Sequence, residues 1–157
     1  MTIKVTSELT DSQKDELLKL WNSEYPEQLK HQSREDFDKY LAGVENHKHF
    51  LLFNDDGFIQ GWHFQFKREG ETWFGMIIAS ELHGKGFGSK LLNEGKKEAS
   101  KLSGWVIDHT NYLKSNGDPY PSPLAFYLKN GFEVLPDIRP KDGKISGLKV
   151  VWKSLDH

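Results

Sequence analysis

Glu81-Leu82-His83-Gly84-Lys85-Gly86-Phe87-Gly88-Ser89 is the stretch from which the rest of this chain is read. The apolar run Trp73 to Ala79 precedes it and reads as a strand. Lys90 to Ala99 follows and reads as a helix, with Phe87, Leu91, Gly95 and Ala99 recurring at four-residue intervals. Three glycines at alternate positions therefore fall where a strand turns into a helix. Glycine allows the backbone to approach a ligand closely and to adopt angles that other residues avoid. A helix start adds unpaired N–H groups and the positive end of the helix dipole, a combination that suits a bound phosphate or pyrophosphate. Taken alone, the loop also fits a tight strand-to-helix turn with no ligand, the lesser reading of the two.

Two common phosphate loops do not fit. The dinucleotide pattern GxGxxG needs its third glycine one position later, and a Walker A loop needs a closing Gly-Lys-Ser/Thr. His83-Gly84-Lys85-Gly86-Phe87-Gly88 instead resembles Arg/Gln-x-x-Gly-x-Gly/Ala, the acetyl-CoA loop of the GNAT family of N-acetyltransferases, with His83 in place of the usual Arg or Gln. Further along, Ser122-Pro123-Leu124-Ala125-Phe126-Tyr127-Leu128-Lys129-Asn130-Gly131-Phe132 resembles the later motif of the same family, a short helix that carries a Tyr and ends in Gly-Phe. Ser122 suits the cap of such a helix, Pro123 its first turn, and Gly131 the left-handed residue that ends it. The resemblance extends over most of the chain and is weakest before residue 45.

The flanking elements are read from pattern. Ile3 and Val5 alternate with polar residues as a short strand. Thr10-Asp11-Ser12-Gln13 has the form of a capping box, and a helix with Leu17, Leu18 and Trp21 on its apolar face follows, ended near Pro26. Ser33 starts a second helix with Phe37, Tyr40 and Leu41. His49 to Phe53, Ile59 to Lys67 and Thr72 to Ser80 read as strands joined by turns at Asn54–Gly57 and Arg68–Glu71. Trp105 to His109 reads as a fifth strand. After the Tyr127 helix come Phe132 to Leu135 and Leu148 to Trp152, with a polar hairpin around Lys141-Asp142-Gly143. The expected order is β-α-α-β-β-β-α-β-α-β-β, an α/β fold with a mixed, mostly antiparallel sheet flanked by helices, as the GNAT resemblance implies.

The 157 residues suit one domain with a real core. No cysteine is present, so neither disulfides nor a thiol nucleophile enter. A formal charge of −2 argues against a general nucleic-acid binder. No apolar run approaches membrane-spanning length and the first residues are not a signal peptide, so the expectation is a cytoplasmic protein with no membrane or nucleic-acid partner.

The resemblance implies acetyl transfer from acetyl-CoA, with no metal, to a small-molecule or peptide amine by direct attack in a ternary complex. It implies that the main chain of Gly84, Lys85, Gly86, Phe87, Gly88 and Ser89 holds the pyrophosphate. His83 and Lys85 either contact phosphate or, respectively, pack and point into water. The backbone of Met76, Ile77 and Ile78 would receive the pantetheine arm and polarise the thioester. Tyr127 would protonate the departing thiolate. Homodimers are common in the family. The position matched to a glutamate base in some members is Thr72, which cannot serve. Glu81, Asp108, His109 and His63 are the alternatives, and Glu71 is expected to face away. Tyr120 and Pro123 stand where the family has Asn and Ala. A non-catalytic acyl-CoA-binding or sensor module is the competing expectation. Trp21, Tyr25, Phe37 and Tyr40 are either acceptor contacts or core.

Overall fold

The computed structural model describes residues 1–140 and 145–155. Four helices and seven strands follow in the order β1 (Thr2–Thr6), α1 (Asp11–Glu24), α2 (Arg34–Ala42), β2 (Glu45–Phe53), β3 (Ile59–Arg68), β4 (Glu71–Ile78), α3 (Phe87–Lys97), β5 (Lys101–Val106), α4 (Leu124–Lys129), β6 (Glu133–Leu135) and β7 (Leu148–Lys153). This is the expected order. The hairpin around Lys141-Asp142-Gly143 lies outside the described residues.

Local signals set most boundaries. Thr10 caps α1 with a reciprocal capping box to Gln13, and Ser33 caps α2 by accepting from the Asp36 N–H. Glu69 and Gly70 both take positive φ to turn β3 into β4. Several boundaries differ from the sequence reading: β2 begins at Glu45 rather than His49, and α3 at Phe87 rather than Lys90. The fifth strand runs Lys101–Val106 rather than Trp105–His109, because it pairs with β7 along its whole length, Lys101 opposite Lys153 and Val106 opposite Leu148. Gly104 lies within this strand, and its missing Cβ makes room for the Phe74 ring. Ser122 is not the N-cap of α4. Its hydroxyl donates to the Ile107 carbonyl at 2.5 Å, and Pro123 occupies the cap.

The strands lie in the order β1-β2-β3-β4-β5-β7-β6. All neighbours are antiparallel except β4 and β5, which are parallel and matched at a single pair, Trp73 opposite Ser103. Beyond that pair the two strands diverge and the sheet opens as a wedge.

Alternation along β4 divides the core. Trp73 and Ile77 face α1 and α2, joining Leu17, Trp21, Phe37 and Trp62. Ile78 faces α3 with Leu91, and Phe74 packs with Leu92, Tyr127 and Phe132. At the seam of β3 and α3, the His63 ring is fully buried and bonded through Nε2 to the Gln65 amide, and Gln65 also donates to the Gly95 carbonyl. Only a glycine at 95 clears that ring. Burial lowers the His63 pKa from 6.5 to about 3, and burial followed by the His47 charge lowers His49 to about 4.

Both histidines are neutral in the fold, while the unfolded chain protonates them near 6.5. Between 6.5 and the folded values the unfolded state binds more protons, so stability is complete above pH 6.5 and falls as pH drops through that window. The urea midpoint is expected to decline steadily from pH 7 to pH 4.5, and histidine ring nitrogen spectra at pH 5 should show His63 unprotonated. A Gly95→Ala chain tests the seam separately. Overpacking costs about 1–3 kcal/mol, against a helix-propensity gain of up to about 1 kcal/mol, so denaturant titration should show a net loss.

Candidate active site

The wedge between β4 and β5 is the floor of a cavity of about 400 Å³. Its rim begins at the glycine loop. After β4 the chain makes one 3₁₀ turn, Ser80–Leu82, and then Gly84 and Gly86 take φ of 77° and 86°, which glycine adopts without strain. Gly86 is the N-cap of α3, and no side chain caps the helix. The first N–H groups of α3 therefore open toward the cavity, with no acid in the first turn and Lys96 and Lys97 in the last. Gly88 supplies close packing, since a Cβ there would press on the Phe126 ring of α4 at 3.2 Å.

The edge of β4 forms the wall next to the loop. The Ala79 N–H donates to the Gln60 carbonyl, so residues 77 and 79 turn their main-chain groups toward β3. Met76 and Ile78 consequently present theirs to the wedge. The carbonyls confirm the alternation: the Tyr25 hydroxyl donates to Met76 O at 3.4 Å, and His83 Nε2 lies 2.9 Å from Ile78 O. A carbonyl only accepts, so His83 carries its proton on Nε2 and ties the loop back onto the strand. The N–H groups of Met76 and Ile78 are left facing the cavity, whereas the main chain of Ile77 is engaged with Trp62.

Tyr127 closes the far side. It lies on α4, buried against Phe74 and Phe132, and its hydroxyl makes no hydrogen bond among the described residues. Tyr25 from α1 and Tyr120 from the loop before α4 face the same space. Burial raises all three phenols, Tyr120 to about 12, with smaller mutual repulsion adding to the effect on Tyr25 and Tyr127. All three keep their protons at neutral pH, and Tyr25 donates to Met76 O.

Of the site residues expected from sequence, Met76, Ile77, Ile78, His83, Gly84, Gly86, Gly88, Ser89 and Tyr127 border this cavity. Lys85 is exposed and off the wall, and Phe87 packs against the buried cluster that holds Ile78, Leu82 and Leu91. The base candidates are elsewhere. His63 is core, Asp108 pairs with Arg139, His109 bonds to Ser146, and Glu81 is exposed. Glu71 accepts from Lys101, Lys149 and Ser103, and these lysines, Lys101 first, hold its carboxyl below the usual range.

The sequence reading missed Glu24 and Lys114. Lys114 Nζ donates to Glu24 Oε1 at 3.1 Å and to Ser80 Oγ at 2.9 Å, and the Ser80 N–H and hydroxyl both donate to Glu24. Both charged side chains are nearly buried and both border the cavity. They belong to segments ninety residues apart, which no local pattern connects. The loop carrying Lys114 is a small hairpin, with Lys114 N–H to Asp118 O and Tyr120 N–H to Tyr112 O, docked on the end of α1 by a bridge to Pro26 and by Glu27 N–H to Leu113 O.

An α/β sheet split between two parallel strands, with a glycine-capped helix start at the mouth of the split, defines the class of fold. The sequence model of the acetyltransferase (GNAT) domain matches residues 45–134, and the chain belongs to that family. Its fold is similar to that of an aminoglycoside 6'-N-acetyltransferase complexed with coenzyme A, at a TM-score of 0.70 and 16% identity over 98% of this chain and 97% of that one. It is also similar to the aminoglycoside 6'-N-acetyltransferase from Enterococcus faecium, at 0.71 and 15% over 98% and 97%. A third likeness is to the PaiA N-acetyltransferase from Thermoplasma acidophilum in complex with coenzyme A, at 0.61 and 17% over 98% and 100%. No curated protein sequence matches the chain significantly. Among the described residues no helix is long and apolar enough to cross a membrane.

Lys114→Met leaves the Glu24 charge in a nearly closed space. Breaking one side of a buried pair costs about 3 kcal/mol, and combining it with Glu24→Gln should recover most of that loss. Denaturant titrations of the single and double variants measure both values.

Proposed function

We propose that the protein is an N-acetyltransferase that moves the acetyl group of acetyl-CoA to an amine by direct attack in a ternary complex. The observation that carries this reading is the convergence of three features on one cavity: the uncapped start of α3, the free N–H groups of β4, and the unpartnered Tyr127 phenol. The pyrophosphate lies against the main chain of Gly84, Gly86, Gly88 and Ser89, with Lys85 adding charge from solvent and Phe87 packing beneath. Lys129, also on the cavity wall, adds a second cation.

The pantetheine arm pairs with the exposed edge of β4 as a further strand would, through Met76 and Ile78. One of those N–H groups also faces the thioester oxygen as negative charge grows on it. The amine nitrogen bonds to the carbonyl carbon, the C–S bond breaks, the nitrogen releases a proton to water, and the departing sulfur takes the Tyr127 proton, which water then restores. Burial disfavours a thiolate in the same space as well as a phenolate, so the raised phenol does not by itself bar the transfer.

One observation favours the alternative, a module that binds acyl-CoA without turnover. Among the described residues Glu24 is the one carboxylate on the cavity wall, and Lys114 and Ser80 already engage it.

Thiol release from acetyl-CoA with a panel of amines separates the two readings, because the module releases none. Either reading requires CoA to stabilise the fold, by about 2.7 kcal/mol at a hundred times its Kd. Tyr127→Phe should lower kcat by roughly a hundredfold with little change in CoA affinity. Unchanged turnover at saturating acetyl-CoA would remove Tyr127 from the chemistry.

A further inference from the structure

The Tyr25 side chain has a geometry that the steps above do not use. Tyr25 is the residue at which α1 stops, with φ −83° and ψ 162° and its N–H still bonded to Trp21 O at 3.0 Å. Its ring stands edge-on to the Trp21 indole at 4.7 Å, and Trp21 is itself buried and fixed by donating Nε1 to Leu29 O at 2.7 Å. Its hydroxyl rests on Met76 O, a carbonyl of the wedge-facing edge.

The residues on either side are clamped as well. Glu24 is held by the Ser80 main chain and by Lys114, Pro26 bridges to Lys114, and the Glu27 N–H donates to Leu113 O. Tyr25 is therefore a rigid wall and not a swinging side chain.

The direction of the cavity gives that wall a role. A chain entering at the glycine loop and lying along β4 passes Ile78, then Met76, heading for the closed end of the wedge at Trp73 and Ser103. Tyr25 from the α1 face and Tyr127 from the α4 face both border this stretch. If Tyr127 meets the sulfur, the group attached to that sulfur meets Tyr25.

We propose that Tyr25 ends the acyl pocket and restricts the protein to short acyl groups, acetyl above butyryl and hexanoyl. This rests on the transferase reading above and deepens it. Added methylenes would have to displace an aromatic ring that Trp21 backs and Met76 anchors. Interiors this well packed do not absorb such volume cheaply. The ring makes the selection and the hydroxyl only fixes the ring, so Tyr25→Phe should retain most of the discrimination while Tyr25→Ala opens the pocket.

The test compares acetyl-, butyryl- and hexanoyl-CoA on the wild type, Tyr25→Phe, Tyr25→Leu and Tyr25→Ala. Binding is followed by calorimetry and turnover by thiol release with one accepted amine. The wild type and Tyr25→Phe should favour acetyl by about tenfold or more, the scale on which a pocket wall discriminates a methylene or two. Tyr25→Ala should lose that preference or reverse it, with free CoA bound as by the wild type. Tyr25→Leu, which keeps an apolar side chain of intermediate size at the end of α1, should lie between them and guards against a misfolded alanine variant. Equal use of all three thioesters by the wild type would overturn the proposal. So would an unchanged acetyl preference in a folded, CoA-binding Tyr25→Ala or Tyr25→Leu chain. Failure of every chain to bind free CoA would instead remove the transferase reading, and this proposal with it.

Discussion

The sheet is joined across its middle by one matched residue pair, Trp73 with Ser103, and the site follows from how little that joins. Parallel strands paired along their length would consume the outward groups of Met76 and Ile78 in ladder hydrogen bonds. Divergence after one pair leaves those groups exposed on a strand whose other edge is locked to β3 over eight residue pairs. The edge is thus rigid and unsatisfied together, which is the condition for pairing with an extended chain from outside. Large side chains pack around the joined end on both faces. Trp73 packs against Trp105 at 4.9 Å on one, and Phe74 against Phe132 at 5.4 Å on the other.

The glycine loop adds an electrostatic end to that edge. His83 bonds back to Ile78, fixing where the loop leaves the strand, and Gly84 and Gly86 provide the two left-handed turns that aim the α3 N-terminus at the gap. In this chain the residue at the family's Arg or Gln position orders the loop through a strand carbonyl. The positive potential at the cavity mouth comes from the helix start itself and from Lys129 on the wall.

Much of this was legible in the sequence because it is encoded locally. The strand-loop-helix at Glu81–Ser89, the capping box at Thr10, the Asn54–Gly57 turn and the alternation in β3 each depend on residues within one or two turns of one another. The element order followed, and with it the family. The features that sequence could not supply are contacts between distant segments. Glu24 reads as an ordinary exposed residue at a helix end until Lys114 is folded onto it. Tyr25 reads equally as core or contact until its hydroxyl reaches Met76. His63 was a candidate base by residue type. Burial beneath Gly95 makes it a packing element instead.

The wedge has one more consequence. On the two faces of the sheet lie separately packed interiors, one built on Trp21, Phe37 and Trp62 and the other on Leu92, Leu102 and Val150. The ties across the opening gather at its closed end, where Trp73 pairs with Ser103 and packs on Trp105, Phe74 packs on Phe132, and Glu71 accepts from Lys101, Ser103 and Lys149, while Glu24 and Lys114 pair at the cavity wall. An occupant bonded to Met76 and Ile78 while touching Tyr120 and Tyr127 would be a keystone at the open end, bracing both interiors where those ties are absent. Slow amide exchange would spread through both of them when it is seated, including strands that it never touches.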